Sequence, residues 1–427
     1  MASNPFRHLS LLPLLNSNLI IICILLFRTA NPVLGFYESI FSFGDSLADT
    51  GNVLFSQPEE YVGKLPYGET YFHQSTGRFS DGRLVIDFIA KSVGLPLVPP
   101  YLASNGKNLR QGVNFAVGGA TALDASFFEE RNVSVPKNAS LKIQLEWFKQ
   151  HLSSVCNPSS NDCREFLKTS LILMGEIGTN DYNHPFFQGR NLEEIQTSVP
   201  KIIKAISSAI KVLIKEGAVT FLVPGNLPIG CATLYLTVFR SPKIADYDES
   251  GCIKWLNEFS MYHNKLLQKE LNILREMHPH TNIIYADYYS VVMKIYQSSK
   301  PFGFKSGILK ACCGGEGPYN CNKSVQGGSV DANVYGDPLK YVNWDGFHLT
   351  ESAYRIIANT LIKEHYRFFF PNTHIISNST YILICLLVLL PILIMIYNNF
   401  SKYYYIIFCD KKGKACGGAA AELTRFM

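Results

Sequence analysis

"FSFGDSLADTGN", Phe41–Asn52, closes an apolar, β-prone run with glycine, aspartate and serine in direct succession. In an open parallel sheet, chemistry gathers in the loops beyond the carboxyl ends of the strands, so a serine at that point is placed to react. Gly44 permits a tight turn, and a following helical turn would aim free backbone N–H groups at whatever Ser46 holds. Serine is also a preferred helix cap. The reactive reading therefore needs partners from elsewhere in the chain.

Working outward, strand-like runs alternate with amphipathic stretches. "SIFSF" (Ser39–Phe43), "VNFAV" (Val113–Val117), "SLILMG" (Ser170–Gly175), "VTFLV" (Val219–Val223) and "NIIYA" (Asn282–Ala286) read as five short strands. Helical patterns lie between them. "RLVIDFIAKSVGL" from Arg83 follows a Ser80/Asp81 cap signal, "LEEIQTSVPKIIKAISSAIKVLIKEG" runs to Gly217, and a third spans Lys254 to Met277. Strand and helix in turn predict a mainly parallel five-stranded sheet covered on both faces, an α/β/α sandwich. With no internal repeat or low-complexity linker, residues 36–370 are expected to form one domain.

The ends of the chain read differently. Arg7 and His8 precede an apolar run from Leu19 to Phe27 and then small residues, which predicts a signal peptide over 1–35. Residues 371–427 form a tail whose stretch "YILICLLVLLPILIMIY", Tyr381–Tyr397, is uncharged and about 25 Å long as a helix, the short limit for a membrane span. Lys402, Lys411, Lys412 and Lys414 follow it, the bias of a cytosolic side. A membrane-anchored protein with a lumenal domain is one expectation. A secreted or vacuolar protein is the other.

Cysteines and sequons suit such a compartment. Cys156 with Cys163, Cys231 with Cys252, and Cys321 with Cys312 or Cys313 are the expected disulfides, too scattered for a zinc set. Asn132, Asn138, Asn322 and Asn378 each head an N-x-S/T acceptor site. The formal charge of +5 over 427 residues is spread out, without a basic run interleaved with aromatics, so no nucleic-acid partner is expected.

The partners for Ser46 appear near the other end, in "NWDGFHLTESAYRIIA", Asn343–Ala358. Asp345 and His348 are three apart before a helical pattern, so a turn can bring the carboxylate to one imidazole nitrogen and leave the other free. A serine hydroxyl needs such a base, and the carboxylate fixes the ring tautomer and offsets its developing charge.

"FGDSLADTGN", "GVNFAVGGA", "GEIGTNDY" and "DGFHLT", in this order, resemble the GDSL esterase/lipase family of plants within the SGNH hydrolases. "VPGNLPIGC" and "ACCGGEGPYN" look like the branch of acetylajmalan esterase and sinapine esterase. The resemblance implies a flavodoxin-like fold, no metal or other cofactor, a catalytic set of Ser46, Asp345 and His348, and an oxyanion hole from Ser46, Gly119 and Asn180. Gly118 is the alternative to Gly119, and Thr179 stands where this branch often has glycine.

The expected activity is hydrolysis of carboxylic esters of small plant metabolites, with acetyl or aromatic acyl groups, by a monomer acting through an acyl-enzyme on Ser46. An acyltransferase using the same intermediate, a lipid-acyl hydrolase and an inactive ester- or wall-binding glycoprotein are the rivals. Tyr67, Phe72, Phe79 and Phe347 are the expected pocket walls. His73, His263 and Asp287 are read as structural.

Overall fold

Four of the five apolar runs form strands largely as read, β1 (Ser39–Ser42), β3 (Ser170–Leu173), β4 (Thr220–Pro224) and β5 (Asn282–Ala286). The remaining strand, β2 (Gly112–Asn114), is shorter than "VNFAV" predicts. Beyond Asn114 the backbone still reaches β1, the Phe115 and Val117 N–H groups donating to the Ser42 and Gly44 carbonyls, while the Asn114 side chain accepts the Ala116 N–H at 2.9 Å. The computed structural model describes residues 37–104, 109–136, 139–157, 161–305, 307–322, 324 and 332–371. The signal segment, Asn138, Asn378 and the stretch 381–397 lie outside the described residues. The chain divides into Met1–Pro371 and Asn372–Met427.

All neighbours in the sheet are parallel, in the order β2-β1-β3-β4-β5. This is the flavodoxin-like order, and its direction reverses beside β1, which opens a crevice at that strand's carboxyl end. Side chains alternate between two cores. Phe41, Ile172, Phe221 and Val223 face one layer. Ile40, Leu171, Leu173 and Leu222 face the other. Both sets are buried, which is why these strands read as continuous apolar runs.

The helices that cover the sheet are α1 (Val85–Ser92), α2 (Leu141–Val155), α3 (Asn180–Phe187), α4 (Val199–Glu216), α5 (Lys254–Met277), α6 (Tyr288–Gln297) and α7 (Glu351–Glu364). Along α4, Ile202, Ile203, Ile206, Ile210 and Leu213 recur at helical spacing on the buried face. The single long helix read through this region is in fact two, Leu192–Gln196 and then α4. Pro200 lacks an N–H and fits only the first turn, so the helix must restart there. The expected Ser80/Asp81 cap is not used either. Asp87 receives the Leu84 N–H at 2.9 Å, and Asp81 bonds Thr70 and the Glu351 N–H.

Cys156–Cys163 and Cys231–Cys252 are joined as expected. The pairing of Cys321 with Cys312 or Cys313 is not formed: Cys321 and Cys312 are buried thiols. Cys312 is turned to the Gly336 carbonyl at 3.4 Å, whereas the Cys321 sulfur packs beside Gly346. Near the amino end of β1, the Tyr37 hydroxyl donates to the Phe368 carbonyl at 2.5 Å, bringing the first and last described segments together. No helix among the described residues is long and apolar enough to cross a membrane. Exposed Asn132 and Asn322 are the two sequon asparagines that the description covers.

Candidate active site

The chain turns sharply after β1 because Gly44 has φ 137°, and a side chain there would meet the Glu176 carbonyl at 2.9 Å. Gln144 of α2 then clamps that backbone, accepting from the Gly44 N–H at 2.9 Å and donating to its carbonyl at 2.8 Å. The Ala48 and Asp49 N–H groups close a turn on the Asp45 carbonyl. Ser46 is left at the rim, half-buried, in the crevice that the sheet order opens.

Asp345 and His348 come from the turn before α7. Asp345 Oδ1 accepts the N–H groups of Phe347 and His348, each at 2.8 Å, and these bonds wind the segment into an Asx-type turn. His348 Nδ1 then sits 2.8 Å from Asp345 Oδ2, and its Nε2 lies 2.9 Å from Ser46 Oγ. Burial pushes the Asp345 carboxyl up, but His348 and the hydrogen bonds from His348 and Tyr67 outweigh it and hold the group below its ordinary range. Phe79 lies against the imidazole, with ring centres 4.7 Å apart.

The two glycines differ in what their N–H groups meet. Gly118 N–H is occupied by Asp49 Oδ2 at 2.8 Å. Gly119 sits at φ 79°, its carbonyl is held by His184 Nε2 at 3.1 Å, and its N–H has no hydrogen-bond acceptor among the described residues. The Ser46 N–H is likewise open. Asn180, at the start of α3, donates both amide hydrogens, to Asp45 Oδ2 and to the Ala120 carbonyl, each at 3.1 Å. Asn183 holds its oxygen at 3.0 Å.

A cluster of buried carboxyls backs this constellation. Burial and the adjacent Glu176 keep Asp45 well above the ordinary carboxylate range. Burial also raises Glu176, against hydrogen bonds from Asp45 and Thr179. Glu176 Oε2 is buried and meets no hydrogen-bond partner among the described residues. Asp181 is pushed up to about 7 by burial, although the N–H groups of Ala122 and Leu123 oppose the shift at 2.7 and 3.0 Å. Among the described residues no Lys or Arg pairs with any of the three.

Two cavities meet at Ser46 and His348. The narrower holds about 50 Å³ and is walled by the loop after β4 and by α6. The wider holds about 410 Å³ and runs past Tyr61, Phe79, Gly119 and Phe187. Phe347 borders both, and Phe79 the wider one. The other two expected wall residues are elsewhere. Tyr67 is fully buried and gives its hydroxyl to Asp345 Oδ2 at 2.7 Å, while Phe72 lies under the Arg78 guanidinium. His263 bonds the Tyr182 hydroxyl in the core, His73 is on an exposed turn, and Asp287 caps α6 through the Ser290 N–H. No group of three or more potential metal ligands occurs among the described residues.

Tyr67 was expected as a pocket wall and not as the donor to Asp345, and Gln144, Asp49 and Asp181 were given no role from the sequence. Only the aspartates carried a local signal, each sitting inside a motif already noted for another residue.

The profile of the GDSL-like lipase/acylhydrolase family matches residues 40–361. A GDSL esterase/lipase of Arabidopsis thaliana is 53% identical over 335 residues, which is 77% of this chain and 86% of that protein. A second from the same plant is 52% identical over 334 residues, 77% and 84% of the two chains. The sinapine esterase of Brassica napus is 50% identical over 335 residues, 77% and 86%. With a parallel sheet in flavodoxin-like order and a serine at its crevice, the chain belongs to the GDSL-like lipase/acylhydrolase family and is a carboxylic ester hydrolase.

Proposed function

We propose that Ser46, His348 and Asp345 carry out ester hydrolysis through an acyl-enzyme, with esters of small plant metabolites as substrates. The observation that carries this reading is the relay of 2.9 Å from Ser46 Oγ to His348 Nε2 and 2.8 Å from His348 Nδ1 to Asp345. Ser46 Oγ forms a bond to the ester carbonyl carbon as His348 Nε2 takes its proton. The carbonyl electron pair moves onto oxygen, where the N–H groups of Ser46 and Gly119 and the Asn180 amide receive the charge. Collapse breaks the ester C–O bond, and His348 returns the proton to the departing alkoxide. Water, deprotonated by the same imidazole, then releases the acid and restores Ser46.

Asn180 has a hydrogen to give because one of its two acceptors, the Ala120 carbonyl at 3.1 Å, is neutral. A carbonyl is a neutral acceptor, and an oxyanion is a charged one, so exchange of the first for the second is favourable. The two disulfides, the exposed Asn132 sequon and the signal-like leader support a place in the secretory pathway.

Ser46→Ala removes one oxygen from a half-buried turn, so the fold should survive. The expected outcome is loss of ester hydrolysis by at least a thousandfold and loss of labelling by a fluorophosphonate probe. Labelling that persists at another serine would refute the assignment.

A further inference from the structure

The two cavities beside Ser46 differ about eightfold in volume, near 50 and 410 Å³. An apolar protein cavity of about 150 Å³ is filled by one benzene. By that measure the narrower space takes a fragment of two or three heavy atoms, whereas the wider one falls in the range that holds drug-sized molecules. An ester bound across both must therefore be lopsided.

Catalysis decides which side is small. Once the alcohol has left, water must reach the acyl carbon from the side the alcohol occupied, within reach of His348 Nε2. Both cavities touch Ser46 and His348, but only the wider has room for a departing alcohol and an entering water together. The acyl group, still bonded to Ser46, is then housed in the narrower one. Resting on the proposed roles of Ser46 and His348, we infer that this enzyme selects short acyl groups of acetyl or propanoyl size on bulky alcohols, and excludes aromatic and longer acyl groups.

The walls of the narrow cavity are built to resist expansion. Leu227 and Ile229 come from the loop after β4, and Val292 faces them from α6. That loop is fastened to α5 by Asn264, which accepts the Asn226 N–H at 2.7 Å, and by Asn257, which accepts the Gly230 N–H at 2.9 Å. The Cys231–Cys252 bridge fixes it again one residue after Gly230. Ile229 and Val292 are buried in the two cores, so neither can turn aside without opening a void.

The test uses the purified full chain and two ester series. With 4-nitrophenol as the fixed alcohol, kcat/KM should fall at least tenfold from acetate and propanoate to hexanoate and cinnamate. With acetate fixed, naphthyl and larger multi-ring alcohols should be hydrolysed as well as phenyl. Leu227→Ala and Val292→Ala should raise hexanoate relative to acetate at least tenfold. Ala232, half-buried at the cavity edge, supplies the opposite change: Ala232→Leu should remove propanoate hydrolysis before acetate hydrolysis. Equal rates across the acyl series, or selection by alcohol size instead, with Ser46 still labelled by fluorophosphonate, overturn the acyl assignment alone. Hydrolysis that survives Ser46→Ala overturns it together with the catalytic reading beneath it.

Discussion

Tyr67 shows how much of this site depends on side chains far away in sequence. Its hydroxyl, on a fully buried ring stacked edge-on against Trp344, supplies Asp345 with its third kind of donor beside the turn N–H groups and His348. A hydrogen bond to a charged group contributes about 1.5–3 kcal/mol. Tyr67→Phe should therefore lower kcat about tenfold with KM nearly unchanged, because Asp345 keeps its other donors but loses part of its hold on the imidazole. Steady-state kinetics checks this, and an unaltered kcat would show that Tyr67 only fills space. Serine, aspartate and histidine were legible in the sequence because each stands in a polar turn beside an apolar run. Tyr67 was not, since nothing near it in sequence says that residue 345 will lie against its hydroxyl. Asn180 was legible as a residue, but its two present acceptors were not, because both belong to other loops.

Elements hold the oxyanion side together. The first turn of α3 carries Asn180 and Asp181, and Asp181 ties the loop after Gly119 to that helix through the Ala122 and Leu123 N–H groups. Asp181→Asn leaves one acceptor and turns an amide N–H₂ against the other backbone N–H. The loop should shift and Gly119 with it. Loss of a whole oxyanion donor costs about 3–4 kcal/mol, so a displaced one should lower kcat roughly 10- to 100-fold with KM little changed. Wild-type kcat in this variant would show that the loop holds itself. The sequence located the strands well because a sheet buried on both faces requires continuous apolar runs. It misjudged boundaries where a single side chain intervenes: Pro200 divides the helix before β4, and Asp87 caps α1 in place of Asp81. Close cysteines paired as spacing suggests, whereas Cys321 depended on the course of a loop.

At the scale of the whole molecule, the unpaired acids behind Ser46 set how stability responds to pH. Asp181 has an ordinary value of 3.8 and is raised to about 7, so between those limits the folded chain holds a proton that the unfolded chain has released. Stability from this group is complete below about pH 4 and is lost as pH rises through 7, on the order of 4 kcal/mol in all. Asp45, Asp49 and Glu176 act in the same direction and outweigh buried His263, which is lowered from 6.5 to about 3 and opposes them as pH falls, while Asp345, held low, opposes them only under more acidic conditions. The melting temperature should therefore be several degrees higher at pH 4.5 than at pH 7.5, as read by calorimetry or dye binding. The reverse order would refute the assignment of protons to this cluster. A second expectation concerns the tail. The site residues and both disulfides precede residue 371, so a chain truncated after Asn372 should be exported in soluble form and hydrolyse esters at the full-length rate. An inactive truncation would show that the domain needs its tail, and carbonate extraction of membranes from cells making the full-length chain tests anchoring by 381–397. The bond from Tyr37 to Phe368 has a practical corollary. It gathers both ends of the described domain at the amino edge of β1, while Ser46 opens at the carboxyl edge of the same strand. A bead joined directly at residue 37 or at residue 371 would grip the pole opposite the mouth, so the domain should be equally productive immobilised by its head or by its foot.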